Sequence, residues 1–257
     1  MILQTLASGS SGNAILVKSE QHAILIDAGI SCRKITHRLN ACGLAVEDLD
    51  GILVTHEHTD HICGLPILLK YHPIPVYASL GTCSAIAARH PAICEHLMSF
   101  PAGSYFELGD FTITTFSTPH DAADSVGYLI SDGQKTAAIL TDLGQIPDHI
   151  AQLVTGSDAV LLESNHDVEM LCRGPYPYAL QQRVLGPLGH LCNQAAAHFA
   201  VHLAQTGTKT LLLAHLSKQN NTPELARREV EQALHHYHLT PTLDIPPRDG
   251  LSPAYLL

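Results

Sequence analysis

The chain carries few charges for its size. Only 15% of its 257 residues are Asp, Glu, Lys or Arg, and 14 Lys and Arg face 24 acidic residues, a formal net charge of −10. That scarcity of cations argues against a polybasic tail or a broadly basic nucleic-acid face. No stretch approaches the roughly 18 consecutive apolar residues of a membrane-spanning helix. The opening MILQTLASGSSGN lacks a positive segment followed by a long apolar one, so no secretory leader is expected. No low-complexity segment or charge run marks a linker. The seven cysteines are an odd number and no two are spaced C-x-x-C. A chain of this length does not need disulfide staples, so reduced, mostly buried thiols in a cytoplasmic protein are expected, with no disulfide partner. What is abundant is apolar residues, at 46%, which suits a soluble globular protein, and histidine. The 18 His outnumber all Lys and Arg together. Histidine is the commonest metal ligand among side chains, so metal chemistry is the first possibility to weigh.

Five short apolar runs read as strands buried on both faces: Ala23 to Ile26, Gly51 to Val54, Ala137 to Leu140, Ala159 to Leu162 and Leu211 to Ala214. Each is followed within two residues by a polar group: Asp27, His56, Asp142, Glu163 and His215 respectively. Strands that deliver polar side chains at their ends are a rigid way to build a site. Helical patterns lie between them. Ser31 caps one that Gly43 stops, Asn193 caps Gln194 to Gln205, and Thr222-Pro223-Glu224 opens one that runs to about Tyr237. Ile15 to Val17 and Ala23 to Leu25 read as a hairpin. Residues 1–257 are expected to form one α/β (α+β) domain, two sheets with helices on both outer faces.

The sharpest motif is His56-Glu57-His58-Thr59-Asp60-His61, directly after a buried strand. In extended chain, residues i and i+2 point the same way, so His56 and His58 can grip one ion. Asp60 and His61 follow at a turn and can face a second. His120, Asp142 and His215 each follow a strand and complete the set. His56, His58 and His120 would hold one ion, Asp60, His61 and His215 the other, with Asp142 shared. A chance pair among so many histidines is easy to obtain; this ordered set is not.

HEHTDH resembles the H-x-H-x-D-H signature of metallo-β-lactamase-fold hydrolases, and His120, Asp142 and His215 fall in that family's order. The resemblance runs from Asp27-Ala28-Gly29 to Ala214-His215-Leu216-Ser217. Within the family the chain is most similar to the YycJ/WalJ branch, on Ser8-Gly9-Ser10-Ser11-Gly12-Asn13, Glu163-Ser164-Asn165-His166-Asp167, Gly189-His190-Leu191-Cys192-Asn193 and His215 to Asn221. Cys192 stands where that branch usually has Ser. The resemblance implies a four-layer αββα sandwich with its site along the sheet edges, and a nuclease acting on DNA ends in the 5′ to 3′ direction. Position 58 is His where the flavin-linked di-iron members carry Glu, and position 142 is Asp, unlike lactam-hydrolysing members with a Cys ligand. The interval from Asp142 to His215 is too short for the domain inserted there in β-CASP enzymes.

Two cations roughly 3.5–4 Å apart can hold a shared hydroxide, lower its pKa to about 7 and counter transition-state charge. Asp60 and Asp142 would orient the attacking oxygen as well as bind metal. His190 and His166 are the candidate proton donors for the leaving group, with a buried or surface role open for each. Asp27 and Glu163 are expected to orient ligating histidines. Ser8, Ser10 and Asn13, Asn193, and Ser217, Lys218 and Asn220 are candidate substrate contacts. Arg173, Arg183, Lys218, Arg227, Arg228 and Arg248 are expected, in part, to share the metal-bearing face; an even spread would favour a small substrate. The donors suit Zn²⁺, and also Mn²⁺ or Fe²⁺. Hydrolysis of a small phosphodiester, thioester or lactone, and a non-catalytic metal-binding role, remain the alternatives.

Overall fold

All five apolar runs form buried strands in the computed structural model, which describes residues 1–257. In chain order the strands are β1 (Ile2–Ala7), β2 (Ala14–Lys18), β3 (Ala23–Ile26), β4 (Gly51–Leu53), β5 (Val76–Ser79), β6 (Leu97–Phe100), β7 (Tyr105–Leu108), β8 (Phe111–Ser117), β9 (Val126–Ser131), β10 (Thr136–Leu140), β11 (Ala159–Glu163), β12 (Thr210–Ala214), β13 (Thr242–Asp244) and β14 (Tyr255–Leu256). They make two seven-stranded sheets, ordered β14-β1-β2-β3-β4-β5-β6 and β13-β12-β11-β10-β9-β8-β7. Pairing is parallel from β3 to β6 and from β10 to β13, and antiparallel elsewhere. Strand β4 stops at Leu53, one residue short of the expected end.

The period of two along each strand divides the core into three layers. On β2, Ile15 and Val17 meet Phe111, Tyr128 and Leu161 between the sheets, while Leu16 faces Ile35 and Leu39 on the outer side. On β11, Leu161 points between the sheets, and Val160 and Leu162 face Ala196, Ala200 and Val230. The helices α1 (Cys32–Ala41), α2 (Thr59–Ile62), α3 (Leu65–Tyr71) and α4 (Leu80–Arg89) lie in the first half of the chain. The second half carries α5 (Asp148–Val154), α6 (Val168–Arg173), α7 (Tyr178–Leu185), α8 (Asn193–Gln205) and α9 (Pro223–His236). Apolar residues of α1, α3 and α4 cover the first sheet, and those of α5, α8 and α9 the second. This is the four-layer αββα sandwich. Each fully buried Leu or Ile in it contributes about 1.5–3 kcal/mol.

The caps follow the sequence in two of three places. Ser31 Oγ accepts from Lys34 N, and Gly43 ends that segment at φ +76°. Thr222 Oγ1 accepts from Leu225 N at 3.2 Å, with Pro223 in the first turn. Asn193 differs from expectation. It is the first residue of α8, not its cap, because its side chain is drawn inward to accept from Ser164 Oγ at 2.7 Å and to pair with Asn221. The cysteines also differ. All seven are free, but only Cys83 is buried; Cys63, Cys94 and Cys172 are exposed. No helix is long and apolar enough to cross a membrane.

Three loops interlock at one edge of the sandwich. Asn13 N donates to Asp60 O, Gly29 N to Asn13 O, Ala28 N to His61 O, and Gly64 N to Ala28 O, all at 2.7–2.8 Å. A Cβ at Gly29 would sit 1.6 Å from Asp60 O, so only glycine allows this approach. We expect Gly29→Ala to lower unfolding free energy by about 2 kcal/mol or more, the cost of overpacking, and to reduce metal uptake. Thermal unfolding and metal analysis check this; wild-type values in both would contradict it.

Candidate metal centre

The polar residues at the strand ends converge on that edge. Asp27 directly follows β3, His56 and His58 lie in the extended stretch after β4, and His61 sits on α2. His120 follows β8, Asp142 follows β10, Glu163 closes β11 and His215 follows β12. Three of them adopt left-handed backbone: Asp27 (φ 61°), Asp142 (φ 57°) and His215 (φ 55°). Such strain costs about 1–3 kcal/mol per residue and persists only where surrounding structure imposes it. Here it turns each side chain off its strand and into one cluster.

Donor atoms within 4.8 Å of one another form four linked groups: His56, His58 and His120; Asp60, His61 and His215; His56, His61 and Asp142; and Asp142, Glu163, His190 and His215. Four imidazoles have their Nδ1 engaged away from the cluster. His61 Nδ1 donates to Asp27 Oδ2 at 2.7 Å, His215 Nδ1 to Glu163 Oε1 at 2.9 Å, and His120 Nδ1 to Gly189 O at 3.1 Å. His56 Nδ1 lies 3.1 Å from Thr55 Oγ1, whose own proton goes to Asp27. These bonds fix the ring orientations and turn the Nε2 atoms inward. His58 is the exception, presenting Nδ1 to the cluster 3.3 Å from His120 Nε2. At the centre, His56 Nε2 and Asp142 Oδ2 are buried without a hydrogen-bond partner. Asp142 Oδ2 lies only 3.2 Å from His61 Nε2, and Oδ1 3.5 Å from His215 Nδ1 and 3.9 Å from His120 Nε2. Buried polar atoms are rarely left unpaired. Lone pairs and carboxylates aimed at a common point fit divalent cations, and the donor set binds metal.

Without a cation, protons carry the positive charge. Burial opposes charge on His215, but Asp142, with Asp60 and Glu163, overrides it and pushes the imidazole up to about 10. Burial likewise opposes charge on His61, and Asp142, Asp27 and Asp60 raise it well above its ordinary value. His56 and His120 go the other way, lowered mainly by burial. Burial would raise Glu163, yet the neighbouring His190 and His215 pull it down to about 2. His190 itself is raised against burial by Glu163, whose Oε1 lies 2.8 Å from its Nδ1.

The remaining expected residues separate into those at the cavity and those behind it. A cavity of about 360 Å³ opens on the cluster, with Ser10, Asp60, Asp142, His190 and His215 in its lining. Ser217 lines a smaller cavity beside it. Ser8 is buried, its Oγ accepting from His215 N, and Asn13 is buried with Nδ2 3.1 Å from His61 Nε2. Asn193 is consumed by Ser164 and Asn221, Asn220 is buried with its amide unpaired, and Lys218 is exposed outside both cavities. His166 lies outside the cavity lining; its ring is buried with neither nitrogen bonded, and burial lowers its pKa to about 4. Of the two histidines expected near the leaving group, only His190 lines the cavity. Of the six basic residues expected near the site, only Arg183 lines the cavity. Arg248 instead braces the loop behind, donating to Leu216 O, Ser217 O and Asn221 O. Arg173 pairs with Glu169, and Arg227 with Asp244 and Glu231.

Sequence reasoning missed four contributors. Thr55 links Asp27 to His56 and His61. Glu57 Oε1 accepts from Ala123 N at 2.9 Å, fixing the loop after His120. Arg89, at the end of α4, lines the cavity, and Asp121 pairs with Arg183. Glu57 lies inside the motif and Thr55 directly before it, and both are visible once positions beside the ligands are asked to orient them; Arg89 and Asp121 carry no sequence signal.

Because the neighbouring carboxylates raise both His61 and His215, loading with Zn²⁺ at pH 7.5 should release protons from these rings, in addition to any from an ionised water. The buffer dependence of the binding enthalpy measures this, and release near zero would contradict it. The same shifts set the acid–base stability of the metal-free protein. The contribution of His215 is complete below pH 6.5 and lost as pH climbs through about 10. That of Glu163 is present above pH 4.5 and lost as pH falls through about 2. Unfolding measured from pH 3 to 10 should therefore show stability declining toward both ends.

Comparison with known proteins agrees with this architecture. The β-lactamase superfamily domain matches residues 22–216. The chain is 38% identical over 238 residues to exodeoxyribonuclease YycJ of Bacillus anthracis, covering 89% of this chain and 87% of that protein. It is 39% identical over 226 residues to exodeoxyribonuclease WalJ of Streptococcus pneumoniae, covering 86% and 83%. Zn²⁺-bound PqqB of Methylobacterium extorquens superposes with a TM-score of 0.74 over 100% of both chains at 17% identity, a likeness of fold alone. On its fold, its clustered donors and these full-length relatives, the chain belongs to the β-lactamase superfamily, in the branch of YycJ and WalJ.

Proposed function

We propose that this protein is a metal-dependent exonuclease that removes nucleotides from DNA ends in the 5′ to 3′ direction. The observation that carries this is the pair of unpartnered buried donors, His56 Nε2 and Asp142 Oδ2, in a cluster of linked ligand triads, in a chain alike over most of its length to exodeoxyribonucleases. His56, His58 and His120 would hold one divalent cation and Asp60, His61 and His215 a second, with Asp142 between them. The mixed imidazole and carboxylate donors suit Zn²⁺, Mn²⁺ or Fe²⁺. When bound, the cations supply Lewis acidity and ionise a water near neutral pH.

The chain's own groups do the rest. Asp60 and Asp142 orient the attacking water opposite the leaving oxygen. Asp27 and Glu163 hold His61 and His215 in place from behind. His190, whose pKa Glu163 raises, delivers a proton to the leaving oxygen from the cavity wall. Arg89 and Arg183 face the phosphate flanking the scissile one.

A second reading is hydrolysis of a small phosphodiester. It is favoured by the thin basic lining, two guanidinium groups where an extended strand would meet more.

The test uses the full chain, stripped and reloaded with Mn²⁺ or Zn²⁺, on end-labelled duplex DNA, single-stranded DNA, RNA and a p-nitrophenyl diester. Stepwise release from the 5′ end of DNA supports the exonuclease; hydrolysis of the diester alone supports the second reading. Asp142→Ala should remove activity on every substrate. His190→Ala should slow DNA cleavage by about 10²–10⁴-fold but spare the p-nitrophenyl diester, whose leaving group needs no proton. Equal losses on both would take the proton-donor role from His190.

A further inference from the structure

A second, smaller cavity of about 150 Å³ adjoins the metal-side cavity and shares Ser10, Arg183 and His190 with it. Its remaining lining is unlike that of the first. Its apolar lining residues are Tyr176, in the turn before α7, and Leu180 and Val184 of α7. Asn165 and Ser217 add neutral polar groups to the lining. Asn165 donates through Nδ2 to His215 O at 2.9 Å, which leaves its Oδ1 free to accept. Ser217 Oγ accepts from Asn220 N at 3.2 Å, which leaves its hydroxyl proton free to donate. The carboxylate of Asp121 also lines the cavity and already engages Arg183.

These features select the occupant. A carboxylate in the lining, with the one nearby guanidinium paired to it, disfavours a phosphate there. An aromatic ring and two aliphatic side chains with one acceptor and one donor suit a flat, neutral group with hydrogen-bonding edges. The volume is well below the roughly 300–1,000 Å³ of sites for drug-sized ligands, so it holds one such group and not a base pair. The shared boundary with the metal cluster means that the group is attached close to the scissile phosphate.

We propose that this side cavity binds the single nucleobase of the nucleotide joined to the scissile phosphate, with Tyr176 as its stacking platform, so that the enzyme acts on a terminal nucleotide pulled out of the duplex. The proposal rests on the nuclease reading above. Stacking on an aromatic side chain is tolerant of sequence because every base has a π-face, which suits an enzyme that must pass along any DNA. It also makes a splayed or single-stranded end a better substrate than a blunt paired one.

The test compares kcat/KM of the metal-loaded full chain on oligonucleotides whose 5′-terminal residue is thymidine or an abasic tetrahydrofuran. Wild type should cleave the abasic end about tenfold more slowly, the size of a lost base–aromatic stack. Tyr176→Ala should lose about tenfold on the thymidine end, and the two losses should not add when combined. Leu180→Trp, which fills the cavity without removing Tyr176, should give the same non-additive pattern. Equal rates on both ends in wild type, or losses that add, would overturn the base site while leaving the nuclease reading intact. No cleavage of any DNA beside normal turnover of the p-nitrophenyl diester would instead defeat the nuclease reading, and the base site with it.

Discussion

Mutual repulsion among inward-facing lone pairs and carboxylates is the constraint around which this protein is organised. Four imidazole Nε2 atoms, His58 Nδ1 and the carboxylates of Asp60 and Asp142 are held within a few ångströms of one another. No arrangement of neutral partners satisfies such a set in a low-dielectric interior; cations must enter it. Protons on His61 and His215 are the makeshift, and divalent metals are the complement the geometry is built for. Asp27, Glu163, Thr55 and the Gly189 carbonyl hold the rings in place, so a metal meets a site already organised for it.

The fold supplies what that organisation costs. Left-handed backbone at Asp27, Asp142 and His215 is unfavourable wherever it occurs, and all three sit at the ends of strands buried on both faces. Those strands are anchored by the layer between the sheets and by the two helix-covered layers outside. A rigid framework of this kind can impose local strain because the core contributes far more than three strained residues subtract. The loops that carry the ligands are interlocked by backbone hydrogen bonds through Asn13, Gly29 and Gly64, where side chains are excluded.

An acidic chain acting on a polyanion needs its positive charge concentrated. The net charge of −10 is not relieved by a basic face; of the scattered cations, Arg183 and Arg89 reach the cavity, where Arg183 also pairs with Asp121 and Arg89 donates to Glu57 O, and others are spent on bonds elsewhere. Attraction for substrate is therefore local, from the metal cluster and two guanidinium groups. Apolar and hydrogen-bonding contacts next to the cluster then matter more than they would in a protein with a basic groove.

The sequence alone pointed to the buried strands at the centre of each sheet, to the layer architecture and to a set of residues whose donor atoms the structure gathers into one cluster. Apolar runs of four residues admit little but buried strands, and H-x-H-x-D-H after such a strand, followed by an ordered His, Asp and His, has few other uses. Tertiary structure decided what depends on where a side chain is spent. Asn193, Asn220, Ser8 and Asn13 have the polarity of substrate contacts but lie behind the site, because buried loops need partners for their own backbone and side-chain groups. His166 and His190 look equivalent in sequence; burial lowers the pKa of the first away from the cavity, while Glu163 raises that of the second at the cavity wall. Arg89 and Tyr176 reach the cavities from elements far from the motif in the chain, and no local pattern marks such placement, since it arises only when the two sheets close on each other.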